Sequence, residues 1–130
     1  MSATAAAAAP PDALEALVER YDPRAIDLPR GRARVRLEVT GAGHWDALLD
    51  RESAQLAPPS GEPDALLVAD AATWRRIERD VRGGMDAYRA GRLSVRHNLS
   101  LGVGLLAATS GNDEGGLRFA RAHTALGVVL

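Results

Sequence analysis

An α+β fold is predicted by two kinds of apolar periodicity along the chain. Residues 32–40 alternate strictly, with Val35, Leu37 and Val39 on one side and charged residues between them, which is typical of a half-buried strand. Leu14, Leu17 and Val18 instead recur at helical spacing. Alternating or short apolar runs predict further strands at about residues 44–50, 52–57, 65–69 and 92–97. The domain should therefore combine a sheet with several helices.

The ends of the helices carry recognisable signals. Asp12 is predicted to cap the first helix, with Glu15 as its capping-box partner. Asp70 is predicted to cap a second helix, in which Trp74, Ile77 and Val81 share one side. A short third helix follows Gly83-Gly84, carries Met85 and Tyr88 and ends at Gly91 as its C′ residue; Asn98 caps the last helical segment.

Residues 99–109 allow two interpretations. Leu99, Leu101, Val103 and Leu105 alternate with small residues, which favours a strand, and the two glycines would each cost a helix about 1 kcal/mol. The family resemblance described below instead implies a helix, and we follow it. Such a helix would be apolar nearly all round, so every side of it would need cover.

The length of 130 residues is enough for one domain. Residues 1–11 are rich in alanine and are expected to be disordered. Residues 12–110 are expected to form the folded domain. Residues 111–130 read as a polar, glycine-rich linker with a strand-like tail at 117–130.

Composition excludes several classes of protein. The formal net charge is −1, so no electrostatic footprint for nucleic acid is present. The chain has no cysteine, which excludes disulfides and thiolate metal sites. No apolar run approaches the roughly 20 residues of a membrane-spanning helix, and the start lacks the basic region of a signal peptide. A cytoplasmic location is the expectation.

No catalytic or metal-binding constellation is visible. His44, His97 and His123 are widely spaced and no pair has a metal-ligand interval, so we expect no metal and no cofactor. Serines such as Ser94 and Ser100 are available, but no Gly-x-Ser-x-Gly elbow is present. His97 could instead touch the polar end of a ligand. We therefore expect a domain that is not itself an enzyme.

A family resemblance emerges from residues 63–95. The chain reads Pro63-Asp64-Ala65-Leu66-Leu67-Val68, then Trp74, Gly83-Gly84 and Met85, and then Ala87-Tyr88, Gly91, Leu93 and Val95 at the spacing A-F-x-x-G-x-L-x-I. This order resembles the sterol carrier protein type 2 domain family, with Tyr88 at the aromatic position and Trp45 where a second strand often starts. The resemblance covers residues 32–109.

The resemblance implies a five-stranded, mainly antiparallel sheet covered on one face by helices, with an apolar tunnel between the layers. It implies a hydrophobic ligand such as a sterol, a fatty acid or an acyl-CoA. Residues 92–111 also resemble bacterial members that precede an α/β-hydrolase domain. An accessory or substrate-presenting role beside such an enzyme is therefore the alternative, with the hydrolase fused or docked.

The predicted ligand-binding residues combine the sheet with the helices. They are Val35, Leu37, Trp45, Leu66, Val68, Trp74, Ile77, Met85, Tyr88, Leu99, Val103 and Leu106. An ordinary core or a partner surface is the competing interpretation of the same residues.

Seven arginines and only three acidic residues lie between positions 75 and 96, a local excess of 7 − 3 = +4 charges. This excess favours either a solvated helix face or transient contact with an anionic membrane surface. Arg32, Arg34 and Arg36 are expected to face solvent from the outer side of their strand.

Overall fold

The computed structural model describes residues 9–80 and 82–110, which form one mixed sheet and four helices. The strands are β1 (Arg32–Val39), β2 (Gly43–Asp50), β3 (Ala54–Ala57), β4 (Ala65–Ala69) and β5 (Ser94–His97). The helices are α1 (Asp12–Glu19), α2 (Ala71–Arg79), α3 (Gly83–Arg89) and α4 (Leu99–Ala108), with a 3₁₀ turn at Pro23–Ala25. The predictions for residues 1–8, Val81, His123 and the whole of 111–130 lie outside the described residues.

The five strands are ordered β3-β2-β1-β4-β5, so the first strand of the chain lies at the centre. β2 and β3 continue from β1 as an antiparallel meander. β4 returns to the other side of β1 and runs parallel to it, and β5 pairs antiparallel with β4. The prediction of a mainly antiparallel five-stranded sheet is therefore confirmed.

One face of the sheet, which we call the inner face, carries the core. Val35, Leu37 and Val39 point to it from β1, and each is at most 2% exposed. Five of the six residues that pair with them are buried on this face: Trp45, Ala47, Ala65, Leu67 and Ala69. Side chains of the helices complete the same cluster, so the helices cover this face, as predicted.

The register corrects the prediction for Leu66 and Val68. Leu66 pairs with Arg36 and Val68 pairs with Glu38, so both lie on the outer face, opposite Val35 and Leu37. Both side chains are half-buried there. The run 65–69 is apolar on both faces because β4 lies next to the centre of the sheet, and such a run carries no alternation from which its inner side could be read.

Three of the four predicted helix-end signals are confirmed. Asp70 Oδ1 accepts a hydrogen bond from Thr73 N at 2.8 Å, and Asn98 Oδ1 accepts one from Leu101 N at 3.0 Å. Gly91 has a φ of +81° just past α3, the left-handed conformation of a C′ glycine. The prediction for Asp12 is wrong: α1 begins at Asp12 itself after Pro11, and no side chain caps it.

α4 is a helix and not a strand, and its glycines explain the misleading pattern. A Cβ on Gly102 would collide with the side chain of Val95, and it would lie 3.2 Å from Leu67 Cδ1. The absent side chain lets α4 approach β4 and β5 closely. The glycine therefore serves packing against the sheet, and this close contact offsets its cost to helix formation.

Arg20 joins the ends of two helices. Its guanidinium donates to the carbonyls of Ile77 and Glu78 at the end of α2, at 2.8 and 3.1 Å, and to the Thr109 carbonyl just past α4, at 3.1 Å. These carbonyls lack partners within their own helices, so one cation satisfies both helix ends.

Candidate binding site

A pocket of about 310 Å³ lies between the segment that leads into β1 and the first half of α4. We call it the α4 pocket. Its apolar lining is Ala25, Ile26, Leu28, Pro29, Ala33, Leu101 and Gly104, and its polar lining is Asp27, Arg30, Arg32, Asp64, Asn98 and Ser100. The pocket thus combines an apolar wall with a charged rim, the arrangement that orients a ligand with one apolar end.

Local interactions fix the wall that faces α4. Leu28 is 5% exposed and belongs to the core, which anchors the segment. The chain then turns at Gly31, whose φ is +82° and whose N–H donates to the Leu28 carbonyl at 2.8 Å. Beside the pocket, a Cβ on Gly104 would lie 3.3 Å from Ile26 Cγ1. The missing side chain at Gly104 therefore lets Ile26 pack closely against α4 at the edge of this space.

The charged residues of the rim differ in the ion pairs and hydrogen bonds that they make. Arg30 approaches Asp64 at 3.9 Å, and the Arg30 side chain is 84% exposed. Asp64 is held more firmly, because its Oδ2 accepts the backbone N–H of Arg34 at 2.8 Å. Within the described residues, the Arg32 side chain makes no ion pair. Arg32 is thus a cation available to an anionic group.

A second concavity, of about 670 Å³, lies on the outer side of the sheet. We call it the outer groove. Leu48, Gln55, Glu62 and Asp50 contribute to its lining. Four residues line both spaces: Arg30, Arg32, Ala33 and Asp64. The two spaces therefore adjoin at the start of β1.

The outer face also holds a buried carboxylate that the sequence analysis missed. The Asp46 side chain is fully buried and accepts from Arg36 at 2.7 and 3.0 Å, from Arg34, and from Ser60 N at 3.0 Å. Burial acts to raise the pKa of Asp46, but these hydrogen bonds outweigh it and leave the pKa below its ordinary value. The expectation that Arg34 and Arg36 simply face solvent is therefore wrong.

The predicted ligand-binding residues fall into four groups. Core positions, each at most 8% exposed, are taken by Val35, Leu37, Trp45, Trp74, Ile77 and Leu106. Met85 and Tyr88 pack against this core and are half-buried. On α4, Val103 is half-buried and Leu99 is 51% exposed. Leu66 and Val68 lie on the outer face.

None of these twelve residues lines the α4 pocket, and the described residues do not show the predicted tunnel between the layers. Ligand binding by the twelve stays a prediction. The pocket residues that the sequence analysis missed include Ile26, Leu28 and Leu101. Residues 25–31 carry no periodicity, so only their apolar content near an Asp-Pro turn could have drawn attention to them.

The two described histidines do not line the α4 pocket, whereas Ser100 does. His44 and His97 are exposed on different strands, and His97 has a φ of +70° just before the Asn98 cap. Within residues 9–80 and 82–110, no group of three His, Cys, Asp or Glu side chains could hold a metal ion.

The arginine-rich segment is divided by the fold. Arg96 pairs with Leu66 on the outer face of the sheet, whereas Arg75, Arg76 and Arg79 lie exposed on α2 in the helical layer. Among the described helices, none has the length and apolar character needed to cross a membrane.

Solved structures similar to this chain place the fold among known proteins. A double mutant of a sec-alkylsulfatase is 11% identical over 83% of this chain, with a TM-score of 0.58, and the match spans 17% of that enzyme. A ubiquinone synthesis protein described as UbiJ-SCP2 is 18% identical over 75% of each chain, with a TM-score of 0.49. A palmitated sterol carrier protein 2-like protein from Aedes aegypti is 17% identical over 72% of this chain and 87% of that one, with a TM-score of 0.49.

No protein-family model and no curated protein sequence matches the chain. At these identities the likeness concerns the fold alone, and the sulfatase match, with its TM-score above 0.5, spans about a sixth of that enzyme. Sterol carrier protein 2 structures are nevertheless among the neighbours, as the sequence motif predicted. The chain is thus an α+β domain whose structural neighbours are sterol carrier protein 2 domains and a segment of a larger sec-alkylsulfatase.

Proposed function

We propose that this chain binds a hydrophobic ligand such as a sterol, a fatty acid or an acyl-CoA and carries out no chemistry on it. The observation that carries the proposal is the α4 pocket, in which apolar side chains form one wall and charged side chains form the rim. A volume of about 310 Å³ is near the lower end of the range of small-molecule sites.

The character of α4 supports this role. Its ten residues include no charged side chain, and its first residue, Leu99, is 51% exposed. Apolar surface that protein does not cover is available to an apolar ligand. Burial of an acyl chain contributes about 0.8 kcal/mol per methylene, so eight methylenes contribute about 6 kcal/mol before ordering costs.

Native mass spectrometry of protein purified without detergent tests the proposal, followed by extraction and identification of anything bound. A stoichiometric lipid is the expected result. Protein that is empty, and that also fails to take up fluorescent fatty acids or sterols at tens of micromolar, would overturn it.

A second candidate is an accessory or substrate-presenting domain of a larger enzyme. It is favoured by the match to a segment that makes up 17% of the sec-alkylsulfatase. Reading the gene beyond Leu130 distinguishes the two, because an accessory domain should be followed by, or encoded beside, a hydrolase-type domain.

A further inference from the structure

We infer that the ligand is a single-chain zwitterionic lipid, whose tail occupies the α4 pocket and whose headgroup lies across the start of β1 in the outer groove. This inference rests on the proposed function and narrows its ligand class. Its basis is that the α4 pocket and the outer groove share Arg30, Arg32, Ala33 and Asp64.

The two spaces differ in what they can hold. The α4 pocket offers about 310 Å³ beside Ile26, Leu28 and Leu101, enough for one slender apolar chain. The outer groove offers about 670 Å³, and its lining combines charged and amide side chains with the apolar Ala33, Leu48 and Leu49. A sterol has one hydroxyl and would place no charged group beside these side chains, whereas a zwitterionic headgroup would place both of its charges in the groove.

The contact between Arg30 and Asp64 lies where the two spaces meet. Its ends are 3.9 Å apart and both side chains are solvent-accessible, so separating them costs little. When it opens, Asp64 remains bonded to the Arg34 N–H, and the Arg30 guanidinium becomes free. The boundary can therefore give way to a ligand that crosses it.

The charges of the groove fit a headgroup that carries both signs. Arg30 and Arg32 offer two guanidinium groups that suit a phosphate. Arg34 also lines the groove, but Asp46 already engages it. Glu62 and Asp50 line the same groove, and Glu62 makes no ion pair within the described residues. A phosphate would lie at the arginines and an ammonium group near Glu62.

Titration calorimetry with lysophosphatidylethanolamine and palmitate, each below its micelle concentration, tests this arrangement. The unmodified protein should bind the lysolipid at least about tenfold more tightly than palmitate, because charged hydrogen bonds to the headgroup are added. Equal affinity for the two lipids would overturn the inference and leave the proposed function standing. Binding of neither lipid would overturn the inference, and failure to bind a sterol as well would overturn the proposed function.

Two matched tryptophan variants locate the headgroup. Leu48→Trp fills the outer groove and should remove the preference for the lysolipid while palmitate affinity stays within about twofold. Ser94→Trp places the same side chain on the same face of the sheet, at an exposed position that lines neither space, and should change neither affinity. An unchanged preference in folded Leu48→Trp would overturn the inference.

Glu62 lies in an exposed loop, so a substitution there should change ligand binding without unfolding the protein. Glu62→Gln should lower the affinity for lysophosphatidylethanolamine several-fold and leave that for lysophosphatidic acid, which lacks the ammonium group, unchanged. Equal losses for both lipids would contradict the assigned orientation. Soluble phosphoethanolamine should not compete, and tight binding of it would exclude a joint site for tail and headgroup.

Discussion

Gly102 of α4 lies so close to Val95 of β5 that a Cβ at position 102 would overlap the Val95 side chain. Val95 pairs with Leu67, so this contact fixes the position of α4 on the sheet beside the core. Glycine at position 102 thus lowers the stability of α4 as a helix, but it allows α4 to pack closely against the sheet.

Gly102→Ala should therefore destabilise the protein, although alanine is the better helix former. The overlap with Val95 should cost about 1–3 kcal/mol in the free energy of unfolding. The higher helix propensity of alanine should return about 1 kcal/mol. A cost in the upper part of the range therefore outweighs the gain. Urea unfolding followed by circular dichroism measures the difference.

Gly104→Ala provides the control for that experiment, because its Cβ would meet only the Ile26 side chain, at 3.3 Å from Cγ1 and 3.5 Å from Cδ1. This variant should be neutral or slightly stabilising. Val95→Ala should lessen the effect of Gly102→Ala in the double variant. Equal stabilities of the two single glycine variants would contradict the packing argument.

Asp46→Asn should be strongly destabilising. The substitution leaves Arg34 and Arg36 beside a neutral amide in a fully buried position, at an expected cost of about 3 kcal/mol in the free energy of unfolding. Asp86→Asn serves as the matched control, because Asp86 is exposed and lies 3.8 Å from Arg89. Its effect should stay within about 0.5 kcal/mol, as expected for an exposed pair.

The contribution of Asp46 to the free energy of unfolding should also depend on pH. Because the folded state lowers the pKa of Asp46, its contribution to stability is complete above the unfolded value of about 4 and disappears as the pH falls through the lower folded pKa. The difference in unfolding free energy between the unmodified protein and Asp46→Asn should therefore shrink between pH 5 and the acid limit, as urea titrations at successive pH values would show. A difference that grows on acidification would refute the assignment.

Gly104→Leu should impair ligand binding without unfolding the protein. The leucine side chain would enter the α4 pocket beside Ile26, and affinity for a fluorescent fatty acid should fall by about tenfold or more. Ala107→Leu adds aliphatic bulk to an exposed position of the same helix and should leave the affinity unchanged. Equal affinities in the two variants would place the ligand elsewhere.

Arg20→Met should lower stability by about 2 kcal/mol, because three carbonyls at the ends of α2 and α4 lose their donor while the aliphatic stem is kept. Hydrogen exchange should rise at the last turns of both helices together. A rise confined to α1 would contradict the proposed link between α2 and α4.

Local patterns predicted most of the fold. The alternation of residues 32–40 predicts β1, and Asp70 and Asn98 predict the starts of α2 and α4 from the local sequence alone. The sequence motif around Ala87-Tyr88 and Gly91 is needed to favour a helix for α4. Gly102 is required by a close contact of α4 with β5, and the local sequence of α4 gives no sign of that contact.

Features that depend on pairing over a distance could not be predicted in the same way. The inner side of β4 depends on its register with β1, so Leu66 and Val68 were assigned to the wrong face. Likewise, Arg36 finds its partner in Asp46, on the far side of a turn. The α4 pocket was missed because its wall is an aperiodic segment that meets α4 only in the folded chain.

Because the α4 pocket lies at the start of β1, the residues that line it can vary independently of the residues that form the core. Ile26 and Pro29 belong to a connecting segment, whereas Val35 and Leu37 further along the strand are enclosed on the inner face. Substitutions in the connecting segment can reshape the pocket without repacking the centre of the sheet. Related chains could therefore diverge in ligand preference through this short segment while their folding stability remains under separate selection.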